Sequence, residues 1–177
     1  EAGGHRGIFL IDDITRQVGT MALVPQIVDA VKVPVIAAGG IADGRGIAAA
    51  LMLGASAVQI GTADLFCPEA KVAPVHRASL KTSWDDDTVL TRLFTGRPAR
   101  GIVNRIIREV GAMSDVAPAF PLAGGALVPL RAKAEAAGSS DFTPLWSGQA
   151  ARLGREMPAG DLTANLVAET QARLAGR

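Results

Sequence analysis

Two histidines, one cysteine and a few glycine-flanked loops hold most of the reactive side-chain chemistry in these 177 residues. His5 follows two glycines in "EAGGHRG". The missing side chains open space around an imidazole, the one side chain that titrates near neutral pH. A histidine in that setting can take a proton as a general base or, once protonated, hold an anion. His76 sits in "APVHRASLKTS" with nothing convergent around it in sequence, and reads as a packing or surface residue. Cys67 has no neighbouring histidine to activate it and reads as a buried, inert thiol. No metal-ligand spacing occurs; Asp85, Asp86 and Asp87 read first as a solvated turn, with Mg²⁺ binding the weaker alternative.

The glycine loops offer a second kind of chemistry. In "AAGGIADGRG", Gly39 and Gly40 let backbone N–H groups approach a ligand closely, just before a helix N-terminus whose dipole favours an anion. "QIGT" adds Gly61 and the hydroxyl of Thr62. Either loop alone could equally be a tight turn. Two of them, separated by one strand–helix–strand unit, point to a phosphate-bearing ligand.

Those loops need elements to carry them. "VPVIAAGG" has the β-branched, nearly continuous apolar character of a strand buried on both faces. Asp43 can cap a following helix through "GRGIAAALML", with Ile47 and Leu51 on one face and Gly54 placed to end it. "SAVQIGT" reads as the next strand, so Val33 to Thr62 forms a βαβ unit of about 30 residues. Upstream, "ALVPQIVDAVKV" predicts a helix with Leu23, Ile27 and Val31 on its apolar face and Pro25 tolerable in the first turn. On this reading "EAGGHRG", "AAGGIADGRG" and "QIGT" lie at the carboxyl ends of three successive parallel strands.

Past Pro68 the pattern changes. The sequence predicts a helix in "PEAKVAPVHRASLKTS", a polar turn into a strand in "WDDDTVLTR", and a loop running into a helix in "FTGRPARGIVNRIIREV". An Ala-rich helix starts near Val128, and the tail carries Leu162, Leu166 and Leu174 at helical spacing. There is no internal repeat. The expected organisation is one domain, with residues 1–67 supplying βα units and a phosphate site and 68–177 a mostly helical extension with closing segments.

Composition narrows the function classes. Apolar residues make up 49% and charged residues 20%, as in a globular protein, and a net charge of +1 disfavours nucleic-acid binding. A single cysteine gives no disulfide framework, which makes a reducing cytoplasm the default. No stretch is long and apolar enough to read as a membrane span.

Taken together, "EAGGHRG", "VPVIAAGGIADGRGIAAALMLGASAVQIGT", "CPEA", "TGRPARGIVN" and "LWSGQAARL" resemble the carboxyl-terminal half of bacterial nitronate monooxygenases, formerly called 2-nitropropane dioxygenases. The resemblance extends, with gaps, over most of the chain. It implies an α/β fold, the C-terminal portion of an FMN-binding (β/α)8 TIM barrel with a small added helical region. It also implies that Glu1 falls just past the sixth strand, so that roughly the first five βα units are missing; the length lies below the ~200 residues such barrels need. By resemblance, Gly3 and Gly40 contact FMN through their backbone, and Gln59, Ile60, Gly61 and Thr62 form its phosphate-side segment. His5 corresponds to the histidine that binds substrate and abstracts a proton from neutral nitroalkanes. The implied reaction oxidises alkyl nitronates with O2 and FMN to a carbonyl compound and nitrite. Arg6, Arg97 and Arg100 are candidates to hold the anion, although each reads first as an ion-pair partner or loop anchor.

Two other readings stay open. An NADH-dependent FMN reductase, of the enoyl-acyl-carrier-protein or quinone type, shares the Gly-Gly-His loop and the phosphate site. The chain could also be an inactive half-barrel, with activity belonging to a complete parent and with self-association into a homo-oligomer through exposed sheet edges.

Overall fold

The computed structural model describes residues 1–10 and 13–176. Along the chain run β1 (Gly4–His5), α1 (Thr20–Ala30), β2 (Ile36–Ala38), α2 (Gly44–Met52) and β3 (Ala57–Gln59). They are followed by α3 (Pro74–Thr82), β4 (Thr88–Thr91), β5 (Ala99–Ile102), α4 (Arg105–Val110), α5 (Val128–Ala136) and α6 (Ala159–Ala175). Short 3-10 turns lie at Ile14–Arg16, Ala63–Phe66, Leu122–Leu127 and Ala151–Leu153.

The βαβ unit forms as its sequence dictates. β2 and β3 pair in parallel, Ile36 to Ala57 through Ala38 to Gln59. Asp43 caps α2 by accepting from the Arg45 and Gly46 amides. Gly54 ends the turn after α2 at φ +95°, where a Cβ would press on Val28. Val24, Ala37, Ile41, Ala50 and Ala55 close a small core between the sheet and its two helices.

Only one face of this sheet is covered. Ala37 is buried, while Ile36 is 61% exposed, so the expected strand buried on both faces is here a strand with one open face. The apolar face expected for α1 also differs. Val24 and Val28 pack on the sheet, whereas Leu23, Ile27 and Val31 are exposed. Two apolar stripes run along α1, and the one that faces β2 is buried. Among the described residues, the segment before α1 holds the 3-10 turn, and its Ile11 and Asp12 lie outside the described residues.

The second sheet is antiparallel, in the order β1-β5-β4. Its middle strand, β5, lies within "FTGRPARGIVN", where the sequence predicted only a loop. Its partners lie far apart in the chain: Gly4 and His5 pair with Arg100 and Ala99, and Thr88 to Thr91 pair with Ile102 to Ala99. β1 is thus an edge strand of this sheet. The predicted helix after Pro68 begins only at Pro74, where proline suits the first turn.

The tail helix, α6, returns across the molecule to lie against α2. Leu162 and Leu166 are buried with Cys67, while Leu174 reaches the surface. Gly44 permits the close crossing, since a Cβ there would meet the Glu169 backbone. The Glu169 carboxylate accepts from the Gly44 amide (3.0 Å) and pairs with Arg155 (2.6 Å), so α6 completes the cap of α2.

Candidate active site

Three glycine-bearing loops converge on one cavity of about 260 Å³. Its walls come from Gly3 and Gly4, from Gly39 to Ile41 after β2, and from Gln59, Gly61 and Thr62 after β3. Trp146 and Gly148 close the remaining side. Of the residues expected to contact a cofactor, Gly3, Gly40, Gln59, Gly61 and Thr62 therefore line one space, and Ile60 is packed just behind, against the small core.

The glycines have separable roles. A Cβ on Gly3 would lie 2.6 Å from the Gly148 amide nitrogen, so Gly3 is required for the chain to cross the 147–148 segment. A Cβ on Gly61 would meet nothing within 4 Å, so the fold does not require a glycine there and the space beside it belongs to the cavity. Gly40 has φ +71°, the left-handed region that glycine adopts without strain.

Residues with unpaired backbone donors line this space. The Gly40, Gly61 and Thr62 amides donate to no described residue. Thr62 Oγ1 accepts from the Gly148 amide at 2.9 Å, which leaves its hydroxyl proton free to donate. The N-terminus of α2 is a different matter. Asp43 and Glu169 already occupy its first amides, so the anion-binding capacity expected there is used internally. The free donors lie in the loops, Gly40 ahead of α2 and Gly61 and Thr62 after β3.

His5 stands beside the cavity, one residue past Gly4. Its ring is 5.8 Å from Trp146 and 6.3 Å from Phe120, edge-on to the latter. Its Nε2 lies 2.9 Å from Thr95 Oγ1. The β1–β5 pairing brings them together: residue 5 opposes residue 99, and the Arg6 amide donates to Pro98 O at 2.9 Å. Gly96, at φ +84°, lets the 118–120 segment close over this loop, since a Cβ would meet the Phe120 nitrogen.

The three arginines are anchors. Arg6 donates to Gln17 Oε1 and Ala2 O, both at 2.9 Å. Arg97 donates to Ile8 O at 2.5 Å and lies over the Phe120 ring. Arg100 donates to Thr88 Oγ1 and O, and burial followed by the nearby Arg6 charge pushes its guanidinium pKa below the usual value. His76 is a packing residue: Nε2 donates to Trp146 O at 3.0 Å, and burial lowers its pKa. Cys67 is buried, and that burial pushes its thiol up. Asp85 and Asp86 are exposed, and Asp87 accepts from the Trp84 amide. Among the described residues no cluster of three or more His, Cys, Asp or Glu side chains could hold a metal ion. No described helix is long and apolar enough to cross a membrane.

Sequence reasoning about spacing missed Trp146, Gly148 and Thr95. "LWSGQAARL" offered one glycine as its signal. Thr95 offered only its place before Gly96.

The nitronate monooxygenase profile matches residues 1–169. The chain belongs to the nitronate monooxygenase family. A probable nitronate monooxygenase of Staphylococcus saprophyticus is 44% identical over 169 residues, 94% of this chain and 48% of that protein. A Staphylococcus aureus relative of the same description is also 44% identical, over 94% of this chain and 47% of its own length. Among solved structures, nitroalkane oxidase from Streptomyces ansochromogenes superposes with a TM-score of 0.88 at 42% identity, covering 99% of this chain and 51% of that one. FabK from Thermotoga maritima superposes at 0.78 with 34% identity, over 99% and 53%. The chain thus spans about half the length of these relatives, and its fold is a partial TIM barrel of their kind.

Proposed function

We propose that this chain carries the flavin-phosphate side and the catalytic histidine of an FMN-dependent oxidase of alkyl nitronates and nitroalkanes, working with O2 and giving a carbonyl compound and nitrite. The carrying observation is a cavity lined by residues with unpaired backbone donors, with one imidazole beside it, in a chain of the nitronate monooxygenase family. The residues fit the cofactor. Gly40, Gly61 and Thr62 present free donors to a phosphate, the space beside Gly61 is open, and Gly3 and Gln59 line the same wall. Gly3, Gly40, Gln59, Ile60, Gly61 and Thr62 would hold FMN, which supplies the electron acceptor when bound.

The chain's own residues handle the proton and the anion. A C–H beside a nitro group is acidic because its carbanion spreads charge onto oxygen, and the neutral His5 imidazole can accept that proton. A preformed nitronate needs no base, and protonated His5 then serves as the donor that holds it. Arg6, Arg97 and Arg100 each donate to acceptors of the fold, and His5 is assigned this role. Trp146 and Phe120 lie beside the ring. Substrate and O2 are the small-molecule partners, and the cytoplasm is the expected compartment.

The test is His5→Asn in the FMN-loaded protein. Turnover of a neutral nitroalkane should fall about 100-fold or more, the usual size of a general-base contribution, with a smaller loss for the nitronate. Equal, slight losses with both substrates would refute the assignment. The resemblance to FabK supports a second reading, an NADH-dependent FMN reductase. Rapid flavin reduction by NADH but not by nitronate would select it.

A further inference from the structure

Thr95 makes three polar contacts through a hydroxyl that has one proton. Its Oγ1 accepts from the Arg97 amide at 3.3 Å, donates to Arg97 O at 3.1 Å, and stands 2.9 Å from His5 Nε2. A carbonyl can only accept, so the hydroxyl proton goes to Arg97 O. An amide can only donate, so it takes one lone pair. With the hydroxyl proton on Arg97 O, the remaining lone pair accepts from His5, whose Nε2 then carries the hydrogen.

We infer that Thr95 is a positioning residue that fixes His5 in its Nε2–H tautomer and so makes Nδ1 the nitrogen that accepts the substrate proton. The claim rests on the reading of His5 as the base. In the step, the Nδ1 lone pair takes the proton from the carbon beside the nitro group, and the C–H electron pair moves onto a nitro oxygen. The imidazolium then keeps Nε2–H on Thr95.

The surroundings leave this task to Thr95. Among the described residues, Nδ1 has no hydrogen-bond partner, and no carboxylate forms an ion pair with His5. The charged groups nearest in the fold, Arg6 and Arg97, donate to Ala2 O, Gln17 and Ile8 O. Phe120 and Trp146 contribute ring contacts only. The loop that sets Thr95 is itself fixed, because the Gly96 amide donates to Arg92 O at 2.8 Å and the 118–120 segment packs on Gly96.

The experiment is long-range ¹H–¹⁵N NMR on the ¹⁵N-histidine-labelled protein above the imidazole pKa, with His5 signals assigned by their loss in His5→Asn. His76, which donates from Nε2 to a carbonyl, serves as an internal reference for a locked tautomer and as a fold reporter. His5 should show the Nε2–H pattern alone, Thr95→Val should give a tautomer mixture, and Thr95→Ser should restore the wild-type pattern. An Nδ1–H pattern, or a wild-type mixture unaltered in Thr95→Val, would overturn the proposal. If Thr95→Val disturbs the His76 signals, the wild-type tautomer and Thr95→Ser decide the matter. In the FMN-loaded protein, Thr95→Val should lose about tenfold more kcat with a neutral nitroalkane than with its nitronate. Equal losses would mark Thr95 as merely structural. If wild type oxidises neither substrate, the functional reading fails while the tautomer still decides whether Thr95 sets His5.

Discussion

The cavity has two walls, built differently. One is the loop pair after β2 and β3, made by residues 36–62, in which β2 pairs with β3 across the short α2 crossover. The other is the β1–β5 pairing together with residues 146–148, which joins segments about ninety and more positions apart, as in the His5–Thr95 bond. The local wall offers backbone amides; the long-range wall offers side chains. Amides placed by a βαβ unit need only glycines and a cap. An imidazole needs a partner whose position depends on the whole fold.

The largest expected effect lies in the α6 core, outside both walls, where Leu162→Ala would leave a hole under Cys67; Leu162 is 1% exposed. A loss of about 3 kcal/mol is expected in denaturant unfolding. Gly3→Ala should cost about as much, up to ~3 kcal/mol, because its Cβ would meet backbone on the 147–148 segment. The local wall should respond differently. Gly61→Ala should shift stability by under about 0.5 kcal/mol, since a Cβ there meets nothing. It should nonetheless weaken FMN binding in a fluorescence titration. If Gly61→Ala destabilised the protein as much as Gly3→Ala, the separation of fold glycines from ligand glycines would fail.

A modest effect is expected at the seam between α2 and α6. The Gly44 amide, and then Arg155, hold the Glu169 carboxyl below the usual carboxylate range. A lowered folded pKa stabilises fully above the unfolded value of about 4.3, and the contribution fades as pH falls through the folded value. Thermal melts should therefore show stability falling below about pH 4. Glu169→Gln should cost up to about 1 kcal/mol at pH 7 and flatten that acid limb. An unchanged acid limb would mean that the cap contributes nothing.

How much was legible follows the same division. Asp43, Gly54 and the β2–α2–β3 order could be read because cap, period and terminator sit within a few residues of one another. β5 could not: "TGRPARGIV" has no alternation, and its strand exists because β1 and β4 flank it. Glu169 was illegible as a cap because it lies 125 residues from Gly44. The buried face of α1 was misassigned because two apolar stripes compete on it and only the sheet decides between them. Gly3, Gly40, Gln59, Gly61 and Thr62 line one cavity, while the first amides of α2 are taken by Asp43 and Glu169.

The most direct measurement is an anaerobic visible titration of the protein with FMN, followed by an alkyl nitronate. Two walls that together form a flavin site predict a perturbed flavin spectrum that loses its oxidised absorbance on adding nitronate, without NADH. A spectrum identical to free FMN, or one that responds to NADH and ignores nitronate, would contradict it.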